Sequence, residues 1–281
     1  MAPPVRPTRI AVCIDDFGLH AGIDEAALAL AGLGRVTAIS CMVGAPLWRA
    51  GAPALAGLDP QRTDVGLHLD LTEHPLASAS RRPLPLLVAL SGARLIDRAR
   101  LRAEIHAQLD AFEEGLARPP AHVDGHQHIH QFPVIRDLLL DALVKRYPRR
   151  RPWLRRTTRP AAAPSAGIKP WLIERLGCDR LTELAHEQGF GQNTHLLGVY
   201  DFQGSAQRYL ALLAQWIAAA QEGDLLMCHA ATGTAARDPI GPARGNEYKI
   251  LSGGAFAELL ERSGVQLGPL SRMHDGYAAS G

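Results

Sequence analysis

Lysine is almost missing from this chain: Lys145, Lys169 and Lys249 are its three examples in 281 residues. Arginine carries the positive charge, and a formal net charge of only +2 argues against a general nucleic-acid binder. Cysteine is scarce as well. Cys13, Cys41, Cys178 and Cys228 stand far apart with no C-x-x-C pair, so the fold does not depend on disulfides, which fits a reducing compartment. Three of them sit in apolar runs, where cysteine behaves as a small buried hydrophobe. Long apolar runs are lacking: "IAVCI" near the start is too short for a signal-peptide core, and no other stretch is long enough to span a bilayer. The expectation is a cytoplasmic protein. The chain does have 47% hydrophobic residues, enough to build a large core.

Short β-branched runs alternate with helical spacing along most of the sequence. "RIAVCID", "RVTAISCMVG", "DVGLHLDLT", "AHVDGH" and "GDLLMCH" read as strands, with shorter candidates near "PWLRR", "HLLGVYDF" and "VQLGPL". Between them "AGIDEAALALAGLG", "PLWRAGAPALAGL", "DRARLRAEIHAQLDAFEEGL", "PVIRDLLLDALVKRY", "SAQRYLALLAQWIAAAQ" and "AFAELLERSG" read as helices. Residues 75–92 read as a Pro-rich loop, and one or two helices are expected within 165–195. The alternation predicts an α/β fold: a single distorted (β/α) barrel, TIM-barrel-like, with seven or eight parallel strands. No linker divides the chain, so one domain over residues 1–281 is expected, with its core at about 8–270.

Polar residues gather at the predicted strand ends. Asp15 and Asp16, His68, Asp124 and His126, and His229 each end a strand, and in a barrel those ends meet on the face where chemistry is located. The densest stretch is "HVDGHQHIH", residues 122–130. If extended, it points His122, Asp124 and His126 to one side. With Asp16 and His68, His126 completes a two-histidine, one-carboxylate metal site with open positions. A metal so held activates water and polarises a carbonyl. Asp15 is free to act as general base, His229 is placed to protonate a leaving group, and Asp124, His128 and His130 are candidates to orient the ligands. His20, His74, His106, His186 and His195 read as ordinary structural histidines.

"KRYPRRRPWLRRTTRP", residues 145–160, packs arginines around an aromatic. It reads as a solvated loop, with contact to an anionic membrane as a refinement; nucleic acid is not an expected partner.

"IDDFGLHAGIDEAAL", "GRVTAISCMVGAP", "VGLHLDLTE", "HVDGHQHIHQFPVI" and "LLMCH" resemble, in order, the signature segments of the YdjC-like carbohydrate deacetylases. The resemblance runs from about residue 10 to 270. It implies a distorted β/α barrel that removes an N-acetyl group from an amino sugar with one divalent metal ion, Mg2+ or Zn2+. It also implies Asp16, His68 and His126 as ligands and Asp15 as base; the choice of His126 over His128 rests on the resemblance. The family commonly has Pro after the late histidine, where this chain has Ala230. "GVYDF" and "DPIGPARGNEYKILSGGAF" resemble the hopanoid-biosynthesis-associated branch, which implies an N-acetylglucosaminyl hopanoid lipid as substrate and a location at the inner membrane. Alternatives are a chitooligosaccharide substrate, a metal-dependent hydrolase of another bond, and a non-catalytic metal-containing sugar- or lipid-binding protein. A homodimer is left open.

Overall fold

The computed structural model describes residues 7–160, 177–233, 235 and 238–278, with side chains placed through His274. The strands are β1 (Arg9–Phe17), β2 (Ala38–Cys41), β3 (Asp64–Leu69), β4 (His122–Gly125), β5 (Trp153–Leu154), β6 (Leu196–Leu197), β7 (Leu225–Cys228) and β8 (Gln266–Leu267). All pair in parallel in the order β5-β4-β3-β2-β1-β7-β6, with β8 added to the start of β1. After its first residue β1 is buried throughout, as a parallel strand covered on both faces must be. The outer edges approach through a bridge between Leu154 and Gln192 and a hydrogen bond from Leu196 N–H to the Thr158 carbonyl. The sheet therefore curls into the expected distorted barrel.

Helices cover its outside: α1 (Ala21–Gly32), α2 (Trp48–Ala56), α3 (Leu84–Gly92), α4 (Arg98–Leu116), α5 (Ile135–Arg146), α6 (Cys178–Glu187), α7 (Ala206–Ala218), α8 (Gly241–Ser252), α9 (Gly254–Ser263) and α10 (Leu270–Ala278). Of the helices expected within 165–195, α6 is present; residues 161–176 lie outside the described residues.

Three differences from the sequence pattern have physical causes. The end of the Pro-rich stretch is helix α3, where Pro85 sits in the first turn and costs no hydrogen bond. Helix α8 has no apolar stripe to reveal it, because its inward face carries the buried charges Arg244 and Glu247. The arginine-rich segment 145–160 is no solvated loop. It contains β5, and Trp153, Leu154, Arg155 and Thr157 are all buried, while Arg146 is engaged by Asp110 and Glu113.

Candidate metal centre and active site

Consecutive residues of a strand point to opposite faces, so two adjacent aspartates should not share a site. A bulge removes the obstacle. The β1–β2 register shifts between Ile14 and Phe17, and Asp16 adopts a left-handed φ of 70°, a conformation aspartate tolerates better than most residues. Asp15 faces the barrel interior, and Asp16 faces the mouth. Gly18 follows with φ +98°, and a Cβ added there would lie 3.1 Å from the Met42 carbonyl oxygen, so a side chain has neither room nor a relaxed backbone.

His68 is the penultimate residue of β3, and its ring faces both sides of the site. Nδ1 lies 2.6 Å from Asp124 Oδ1, while Nε2 lies 3.5 Å from Asp16 Oδ1. The extended run of residues 122–130 stops at Gly125. A tight turn follows, with Gln127 and His128 left-handed at φ 55° and 58°, and backbone outliers of this kind cluster at functional sites. The turn brings His126 Nδ1 to 3.0 Å from Asp16 Oδ1. Asp16, His68 and His126 each offer a donor atom within 4.8 Å of the others. Asp16 Oδ2 accepts from Arg244 Nη2 at 2.7 Å, so Oδ1 is the oxygen turned to the two histidines.

Asp124 fixes which His68 nitrogen is free, as carboxylate partners of metal-binding histidines do. The donor set therefore fits a divalent ion of the type that accepts imidazole and carboxylate. The other histidines of the segment serve elsewhere. His130 Nε2 donates to the Arg155 carbonyl at 2.9 Å. The His122 ring stacks on Trp153 at 4.3 Å and lies so close over Gly66 that a Cβ there would meet it at 2.4 Å. His128 lines the cavity, and its Nδ1 has no hydrogen-bond partner among the described residues.

Two further groups of donors look like metal sites but are already occupied chemically. Asp15, His68 and Asp124 form one of them. There the Arg155 guanidinium donates to Asp15 Oδ2 and Oδ1, both at 2.6 Å, and pairs with Asp124 Oδ2 at 2.5 Å. An internal cation thus fills the place of a second metal ion, which removes the geometric basis for a two-metal hydrolase. The other group is Cys13, His122 and Asp124; there Ser40 Oγ lies 2.9 Å from His122 Nε2 and donates to Asp124 Oδ2 at 2.6 Å, and Arg155 Nη2 donates to Cys13 Sγ at 3.2 Å.

The charges follow from these contacts. Burial alone would raise the Asp15 pKa, but Arg155 reverses this and holds it below the usual range. Burial opposes ionisation of Asp16 too, and Arg244 and His126 outweigh it. Burial disfavours a charged His68, yet Asp124 and Asp15 lift it to about 9 in the metal-free protein. At His229, which follows β7, burial wins over the aspartates and lowers the pKa to about 4. His229 Nε2 is 4.0 Å from Asp15 Oδ2. Its peptide is gripped from α8: the N–H donates to Glu247 at 2.5 Å, and the carbonyl accepts from Arg244 at 3.2 Å.

A cavity of about 660 Å³ opens over this face, lined by Asp15, Asp16, His68, His126 and His229 and by apolar Leu84, Phe132, Phe202 and Ile240. Sequence reasoning brought the aspartates and histidines to one place but missed Arg155, Arg244, Glu247 and Glu73. Arg155 lay hidden in the arginine run, and α8 has no readable period. Glu73, whose Oε1 is 3.2 Å from His126 Nε2, was visible only as part of the "VGLHLDLTE" segment.

A family model described as YdjC-like protein matches residues 9–262. A carbohydrate deacetylase of Geobacillus stearothermophilus is 31% identical over 208 residues, covering 68% of this chain and 78% of the relative. A human carbohydrate deacetylase is 32% identical over 149 residues, covering 48% of this chain and 45% of the relative. The chain thus spans under half the length of that human protein. Among solved structures, an Enterococcus faecalis protein described as a candidate cellobiose-phosphate cleavage protein superposes with a TM-score of 0.70 at 19% identity, covering 95% of this chain and 99% of that one. At that identity the likeness establishes the fold.

Proposed function

The chain belongs to the YdjC-like protein family, and from that premise we propose that it is a carbohydrate N-deacetylase, hydrolysing the acetamide of an N-acetylglucosamine-type sugar. One observation carries the reading: a bulge turns Asp15 and Asp16 to the same cavity as His68, His126 and His229. A binding module needs no second carboxylate and no extra histidine beside its metal ligands; an amide hydrolase needs both.

Asp16, His68 and His126 would hold one divalent ion, Mg2+ or Zn2+. When bound, such an ion polarises the acetamide carbonyl and lowers the pKa of water. The protein's own groups handle the protons. Asp15, kept ionised by Arg155, accepts the proton of the attacking water. His229 rests neutral, since its pKa is about 4, so it must gain a proton before it can give one to the departing amine. Asp15 Oδ2 at 4.0 Å is the near carboxylate from which it can do so. Arg155 matters here because a fully basic Asp15 would keep the proton. Asp124 holds the His68 ring in place through Nδ1, while the apolar cavity wall limits water.

The same reading extends to a single domain over residues 1–281 and to a cytoplasmic enzyme working beside the inner membrane. Between a chitooligosaccharide and an N-acetylglucosaminyl hopanoid, the apolar lining favours the lipid-borne sugar. Acetate release from metal-reconstituted protein, with chitobiose and the glycosylated hopanoid offered side by side, tests the proposal. Release that His126→Ala abolishes is the expected result. A well-folded, metal-loaded protein that frees acetate from neither would overturn it.

A further inference from the structure

The large hydrophobic side chains exposed among the described residues are Leu33, Leu76, Leu86 and Leu95. Three of these four fall within one stretch of the chain, residues 76–95. Scattered exposed leucines need no explanation; a concentration of them does. Helix α3 lies at its centre. Its sequence, LPLLVALSG, has no charged residue, and it turns Leu87 and Ser91 inward. A surface helix normally presents polar residues on its other side. Here Leu86, Ala89, Leu90 and Ala93 occupy the i, i+3, i+4 and i+7 positions, and none of the four is buried. Leu86 is 46% and Leu95 71% exposed.

Charge along this stretch is mostly positive, with Arg94 4.0 Å from Asp137 and Arg100 3.9 Å from Asp97. Residues 76–102 hold six arginines and a single acidic residue, Asp97. Arg81, Arg94, Arg98, Arg100 and Arg102 are exposed. An apolar helix rimmed by arginines is the pattern of a segment lying in the headgroup region of an anionic bilayer. Its position adds to the argument. Leu84, the first residue of α3, lines the cavity, and the preceding loop carries Glu73 and His74 to the same cavity wall. That loop is firmly fixed: Asp70 accepts from the N–H groups of Thr72, Glu73 and His74, and Glu104 accepts from those of Leu76 and Ala77.

We propose that α3 and the arginines flanking it are a membrane-docking lip, which seats the mouth of the cavity on an anionic lipid surface. This places the contact on residues 76–102 and away from the arginine-rich 145–160 segment, much of which is buried. The lip stands apart from the deacetylase reading, since it predicts membrane binding whatever the cavity hydrolyses.

The test is co-sedimentation of the purified protein with phosphatidylcholine vesicles, with or without phosphatidylglycerol. Wild type should partition onto the anionic vesicles and much less onto the neutral ones. Leu86→Ser with Leu95→Ser should weaken binding at least about tenfold, as loss of two inserted leucines implies. Arg81→Gln with Arg94→Gln should reduce the anionic preference about fivefold for each charge removed. All four side chains are exposed, and the contacts given up are single ones, Arg81 Nε to the Thr72 carbonyl and Arg94 to Asp137, so a nearly unchanged thermal melt should accompany the loss. Partition unchanged in both double variants, or absent in wild type, would overturn the proposal. So would a concentration-dependent dimer in lipid-free buffer that Leu86→Ser dissolves, for then a second copy covers the helix.

Discussion

Asp15 and Asp16 are neighbours in the chain, and each is held by an arginine, yet the two pairs differ in kind. Arg155 takes both oxygens of Asp15 and reaches Asp124 as well. All three are buried, and the one guanidinium offsets half of the negative charge of the two carboxylates; His68, 2.6 Å from Asp124, offsets the rest when protonated. Arg244 takes one oxygen of Asp16 and leaves the other facing His68 and His126. The inner pair is closed to a metal ion, although Asp15 still lines the cavity and can take a proton; the outer one is half open to a ligand. Adjacent, chemically identical side chains thus differ in what they can still bind, and the cause is the geometry of the guanidinium partner: a fork on both oxygens satisfies a carboxylate, while a single contact leaves a ligand.

Breaking the closed pair should have the largest effect. Arg155→Met strands two buried carboxylates, and removal of one partner from such a cluster typically costs about 3–5 kcal/mol. Chemical denaturation should show a loss of that order, and an unchanged midpoint would mean that the pair is not structural. Next comes Asp15→Asn, which leaves the open site alone. Turnover should fall on the order of 10²–10⁴-fold, while metal binding by calorimetry stays near wild type. Loss of metal together with activity would show that the two aspartates share one role.

The smallest effect sharpens the comparison through pH. In metal-free protein His68 has a folded pKa of about 9 against an ordinary 6.5. Its stabilisation is therefore complete below pH 6.5 and lost as pH rises through 9. His229, His122 and His130 lie at about 4, below their ordinary value. Protonation then favours the unfolded chain, and stability falls as pH drops from 6.5 towards 4. The melting temperature of chelated protein should peak near pH 6.5 and fall by a few degrees on either side. Adding metal should flatten the alkaline limb, because a ligated His68 no longer titrates. An alkaline limb indifferent to metal would place the ion elsewhere.

The strand ends were legible because buried parallel strands are continuous apolar runs, and the first polar residue after each run marks the barrel mouth. That logic located Asp15, Asp16, His68 and His229 from their own neighbours. It failed for Arg155, where β5 is only two residues long and the surrounding arginines imitate a solvated loop. It failed again for α8, whose buried face is charged and so shows no hydrophobic period.

The order of apolar runs and the chemistry of their terminal residues determined the α/β architecture and which aspartates and histidines could meet. Tertiary structure alone decided how they meet. A bulge after Ile14 turned two consecutive aspartates to one site, and a left-handed turn swung His126 back to Asp16. The arginines from β5 and α8 then made one aspartate a closed ion pair and the other an open donor. Side chains 140 and 228 residues apart in the chain set these fields. In a desolvated cavity a charge at hydrogen-bonding distance outweighs anything its sequence neighbours contribute.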